Sequence, residues 1–128
     1  MDNGKEKFSL GGRIKSTNHA LRGIAVFFKT SHNSWLHVFF GGLAAYLGVI
    51  LHISEGEWAT LVLAIGLVIV SEAFNSAIER DMDLTSPEYH PYARDTKDMA
   101  AGAVAISIII AGLIGLIIFL PKILPLIR

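Results

Sequence analysis

Cysteine is absent from this 128-residue chain, which excludes disulfides and thiolate metal sites and leaves the redox compartment unread. Neither sign of charge is in excess: 11 Lys and Arg balance 11 Asp and Glu, giving no reason to expect a nucleic-acid partner. No GxxxxGK[ST] loop and no HRD or DFG set occurs, so the common nucleotide-binding folds are missing at the level of motif. A cleaved leader is not expected either, because residues 1–23 are polar and amphipathic where a leader would carry an apolar core.

What the chain does have is long stretches without charge. Lys29 and Glu55 enclose 25 residues free of Asp, Glu, Lys and Arg, Asp98 and Lys122 enclose 23, and a third run begins at Trp58. A bilayer core needs about 20 apolar residues per helix. The expectation is therefore an all-α membrane protein, a single integral-membrane domain over 1–128 with transmembrane helices at 36–53, 58–80 and 98–120. Residues 54–57 read as a tight acidic connection, and residues 84–96, with Pro87 and Pro91, as a loop. Pro121 is expected to end the last span. Gly41, Ala45 and Gly48 in the first span, and Gly102, Ala111 and Gly112 in the last, supply small side chains for close helix packing.

Ahead of the spans, residues 8–30 place Phe8, Ile14, Leu21, Ile24 and Phe28 among Arg13, Lys15, Arg22 and Lys29, a pattern suited to an amphipathic helix on the membrane surface. Its cations read either as an anchor that sets topology or as direct phosphate contacts. Residues 31–35 are expected to break this helix, with Trp35, His37 and His52 read as interfacial side chains. Lys5, Lys7, Arg13, Lys15, Arg22 and Lys29 precede the first span, whereas residues 54–57 carry no cation, which puts the N-terminus in the cytoplasm. Counting spans then returns residues 79–83 to the cytoplasmic side and leaves the C-terminus outside.

In the second span charge reappears before the helix has left the membrane. Glu72, Asn75, Glu79 and Asp83 fall at offsets of 0, 3, 7 and 11, which at about 100° per residue form one stripe. Glu72 lies roughly 12 Å deeper than the charged end at Arg80. An ionised group that deep in hydrocarbon costs roughly 3 kcal/mol or more, so the stripe is expected to face protein, a metal or a hydrated cleft. The alternative is a structural network in which Glu72 is merely paired or protonated. Carboxylates and an amide, without Cys or paired His, favour a hard cation such as Mg²⁺, which takes its other ligands from water and phosphate oxygens. A magnesium-bound nucleotide at headgroup level fits, with Glu72 deeper, where it can take a proton from a lipid hydroxyl.

Two motifs carry a resemblance. EAFNSAIERDMD, residues 72–83, is similar to E-x-x-N-S/T-A-I-E-x-x-x-D, and EYHPYARDTKD, residues 88–98, to E-x-H followed by K-D, both of the small bacterial membrane kinases that include diacylglycerol kinase and undecaprenol kinase. The resemblance implies a homotrimer in the bacterial cytoplasmic membrane, with Mg²⁺ as cofactor, ATP as co-substrate and a lipid acceptor, and active sites near subunit boundaries. It also implies Glu72 as catalytic base, Asn75 as an orienting group and Glu79 as metal ligand. Asp83, Glu88, His90, Lys97 and Asp98 would surround the nucleotide, Lys97 on its phosphates, and Arg13 and His19 would join them from the N-terminal helix. Arg94, Asp95, Lys97 and Asp98 are also compatible with capping of the third span, with Thr96 or Asp95 at the N-cap.

The chain departs from the family where residues 29–35 read KTSHNSW in place of K-x-E-x-N-x-R. Ser31 thereby stands at a metal-binding Glu and Trp35 at the Arg, while His19 stands where Tyr is common. A serine hydroxyl can serve Mg²⁺, with less charge. Two other functions stay open: a member that lost transfer and kept a regulatory or binding role, and a lipid-phosphate phosphatase.

Overall fold

The computed structural model describes residues 9–127 as helices α1 (Leu10–Thr30), α2 (His32–Ile50), α3 (Glu55–Thr85) and α4 (Pro91–Ile123), closed by a 3-10 turn at Leu124–Leu126. Lys5, Lys7, Phe8 and Arg128 lie outside the described residues. Three helices, α2, α3 and the α4 segment Pro91–Leu126, are long and apolar enough to cross a membrane, and α1 precedes them. The three are longer than expected or shifted, and the causes are local caps.

Only Ser31, not residues 31–35, interrupts the first two helices. Its N–H bonds the Phe27 carbonyl at 2.9 Å, ending α1, while its Oγ accepts from the Ser34 N–H at 3.3 Å and starts α2 at His32 instead of 36. Trp35, beyond any interfacial position, donates its indole N–H to the Phe28 carbonyl at 2.9 Å and packs its ring 5.5 Å from that of Phe28. It ties α2 back onto α1. At its other end α2 stops at Ile50, not 53. The N–H groups of His52 and Ile53 bond the carbonyls of Val49 and Gly48, and His52 has φ 48°, the left-handed residue such a helix end requires.

Residues 54–57 are a capping box, not a connection. Ser54 Oγ accepts from the Glu57 N–H and the Glu57 carboxylate accepts from the Ser54 N–H at 2.7 Å, so α3 begins at Glu55. The loop expected at 84–96 shrinks to residues 86–90, because Pro91 sits in the first turn of α4, where a missing N–H costs nothing. His90, rather than Thr96 or Asp95, is the N-cap, its Nδ1 accepting from the Tyr92 N–H at 3.2 Å. Pro121 does not end α4, which runs on to Ile123. Placed in the last turn, it forfeits one backbone bond and leaves the rest of the helix intact.

α3 and α4 pair along most of their length, and α2 leans on α3. The tightest apolar packing lies at the end near the α2–α3 turn, where Ile53, Leu61, Ile118 and Phe119 are buried against Leu47, Trp58 and Ile114. Lys122 Nζ stands 3.1 Å from Glu57 Oε1 there, joining the two helix ends. Gly48 makes this approach possible, since a Cβ at that position would come within 2.9 Å of both Ile53 Cδ1 and Trp58 Cη2. Gly48→Val is expected to destabilise the fold by about 1–3 kcal/mol through overpacking. Thermal unfolding in detergent would check this, and an unchanged midpoint would count against the packing account.

Candidate functional site

At the opposite end the helix pairing turns polar. Glu72 projects from α3 into the space beside the α1–α2 junction and is 3% exposed. Both carboxylate oxygens face α2: Ser31 Oγ donates to Oε1 at 3.1 Å, and His37 Nε2 lies 3.8 Å from Oε2. Ser31 thus works twice, its lone pair starting α2 and its hydrogen holding Glu72. One turn along α3, Asn75 is buried and donates from Nδ2 to Glu79 Oε1 at 3.2 Å, while its Oδ1 is buried without a hydrogen-bond partner.

Ser31, Glu72, Ser76, Glu79, Arg80 and Asp83 line a cavity of about 290 Å³. Three of the four stripe residues, Glu72, Glu79 and Asp83, thus share its wall, and Asn75 does not line it. Asp83 also borders a second cavity of about 410 Å³, lined by Glu88, His90, Arg94, Lys97 and Asp98. Lys97 Nζ is 2.6 Å from Asp83 Oδ1, and Arg94 pairs with Asp98 at 3.6 Å within α4. The two cavities meet at Asp83. Arg13 and His19 line neither cavity; both are on exposed positions of α1, and Arg13 stands roughly 27 Å along the helix axis from Ser31.

His37 is the residue at the site that sequence reasoning missed. Read only as interfacial, it is largely buried against Glu72, on the side of α2 that also carries Ser34, Gly41 and Gly48. The three- and four-residue spacing of those polar and small residues was the available signal. His37 also lines an apolar pocket of about 430 Å³, walled by Leu36, Phe40, Ile65, Val68 and Ile108, with Ala111 and Gly112 adding little bulk and Gly41 at the α2–α3 contact, where a Cβ would come within 2.9 Å of Ile65 Cγ2.

The donor set suits magnesium. Among the described residues no three His, Cys, Asp or Glu side chains converge into a cage, and Mg²⁺ usually needs only one or two protein carboxylates beside water and phosphate oxygens. Glu79 offers one such carboxylate on the cavity wall, where Asn75 Nδ2 donates to it.

A buried acid in a membrane-length helix, a polar double cavity at one end and an apolar pocket beside His37 make up the site, and the match to prokaryotic diacylglycerol kinases gives the class: a small membrane-embedded lipid kinase. Residues 18–119 match the family model described as prokaryotic diacylglycerol kinase, and the chain belongs to that family. It is 38% identical over 122 residues to an undecaprenol kinase of Bacillus subtilis (strain 168), spanning 95% of this chain and 99% of that relative. A diacylglycerol kinase of Synechocystis sp. is 35% identical over 114 residues, 88% of this chain and 65% of the relative. The diacylglycerol kinase of Escherichia coli (strain K12) is 36% identical over 74 residues, 55% and 61% of the two chains.

Proposed function

We propose that the chain transfers the terminal phosphoryl group of magnesium-bound ATP to the hydroxyl of a polyprenol such as undecaprenol, with diacylglycerol as the second acceptor. The observation that carries this is the position of Glu72, buried on the wall of a polar cavity and 3.8 Å from His37, which lines an apolar pocket. A diacylglycerol carries ester carbonyls close to its hydroxyl, which need polar partners when buried. A polyprenol carries hydrocarbon directly behind its hydroxyl, and the pocket behind His37 is apolar apart from that one side chain. The 38% identity to an undecaprenol kinase supports the same order.

In this reading Glu72 takes the acceptor's proton while the acceptor oxygen bonds the terminal phosphorus and the bond to the departing ADP oxygen breaks. Ser31 fixes the carboxylate so that one oxygen keeps a set direction. Glu79 would hold Mg²⁺, which would neutralise charge on the phosphates, and Asn75, bonded to Glu79, would help orient the reacting groups. Lys97, released from Asp83, would meet those phosphates, with Glu88, His90 and Asp98 around the rest of the nucleotide. Arg13 and His19 would reach the nucleotide only across a subunit boundary, which agrees with a homotrimer. The N-terminus and the polar cavities would lie on the cytoplasmic side of the inner membrane, where ATP is available, with the C-terminus outside.

The test is an acceptor panel in detergent or lipid with MgATP. Faster phosphorylation of undecaprenol than of diacylglycerol is expected. No product from either, with a known kinase active alongside, would overturn the reading, and phosphate release from a lipid phosphate without nucleotide would replace it with a phosphatase.

A further inference from the structure

The apolar pocket has a single polar feature, and that feature touches the base. Of the residues lining it, only His37 has a side chain able to hydrogen bond, and its imidazole is 13% exposed beside a Glu72 side chain that is 4% exposed. The 3.8 Å between His37 Nε2 and Glu72 Oε2 is too long for a direct hydrogen bond. It is the right width for an oxygen atom set to one side, about 2.8 Å from each. The other carboxylate oxygen is occupied by Ser31, so Oε2 is the one that can receive a proton from an atom in that position.

We propose that His37 seats the acceptor's hydroxyl: Nε2 donates to the hydroxyl oxygen at the mouth of the apolar pocket, turning the hydroxyl hydrogen toward Glu72 Oε2, while the first carbons of the chain fill the pocket. This rests on the reading of Glu72 as the base and adds a contact to the substrate itself. It explains why an otherwise apolar wall ends in an imidazole. Gly112 leaves open space, since nothing lies within 4 Å of a Cβ built at that position. A larger side chain at Gly112 can therefore occupy the pocket without forcing the α4 backbone.

The experiment compares KM for undecaprenol with KM for MgATP in His37→Ala, His37→Gln, Gly112→Leu and Glu72→Gln, alongside the thermal midpoint of each variant in detergent. Loss of one substrate hydrogen bond in a buried site corresponds to about tenfold in affinity. His37→Ala is expected to raise the acceptor KM by about that factor and leave the MgATP KM alone. His37→Gln, which keeps an N–H at similar reach, should recover part of the loss. Gly112→Leu should raise the acceptor KM as well. If His37→Ala does not fold, the other two variants decide. An acceptor KM within about twofold of the unaltered protein, or both KM values rising together, would overturn the proposal. Turnover retained in Glu72→Gln would sink the assignment of the base instead, whereas a normal acceptor KM in the His37 variants beside an inactive Glu72→Gln sinks only the role of His37.

Discussion

Glu72→Gln is expected to lower kcat by about 10²- to 10⁴-fold, the range typical for loss of a general base, while nucleotide binding is kept. The substitution preserves shape, and the glutamine oxygen can still accept from Ser31, which now donates to Glu72 at 3.1 Å. Stability is expected to hold or rise. Among the described residues no Lys or Arg pairs with Glu72, so the neutral amide removes a desolvation cost without orphaning a buried cation. These two readouts separate catalysis from scaffolding. A carboxylate kept for structure would show the reverse, with a lower unfolding midpoint and turnover close to normal. Radiolabelled phosphate transfer, calorimetric nucleotide binding and thermal unfolding in detergent make the comparison.

Glu79→Gln addresses the metal. Glu79 is exposed on the cavity wall and receives a hydrogen bond from Asn75, whose own oxygen has no partner. Removing its charge is expected to raise the Mg²⁺ concentration for half-maximal activity by at least the roughly 10–100-fold that loss of even an outer-shell metal partner costs. Activity should return in part at high Mg²⁺, because phosphate oxygens and water supply most of the ligands. A magnesium titration at fixed ATP reads this directly. An unaltered titration curve would move the metal away from Glu79.

The stripe Glu72–Asn75–Glu79–Asp83 was legible because a helical period is independent of tertiary context: four offsets sufficed to put them on one wall, where the structure holds Glu72, Glu79 and Asp83. The number of membrane-length helices was legible for a similar reason, since charge-free runs of that length have few other uses. Helix ends were not. Each depends on which side chain closes it, and Ser31, Ser54, His90 and Pro91 all look like loop residues until their hydrogen bonds are seen. His37 was missed through the same error, since placing the start of α2 at residue 36 assigned it to the membrane boundary. Where Arg13 and His19 stand relative to the cavities was not legible either, and within one chain neither of them lines one, α1 reaching the smaller cavity only through Thr30.

The apolar cluster around Ile118 and the Lys122 pair fasten the helices at the end remote from Glu72. For a lipid alcohol of the kind proposed, entry would be sideways, between helices and not through an aqueous mouth. Securing the bundle at one extremity would then make the extremity that holds Glu72 the one to part as acceptor enters and product leaves.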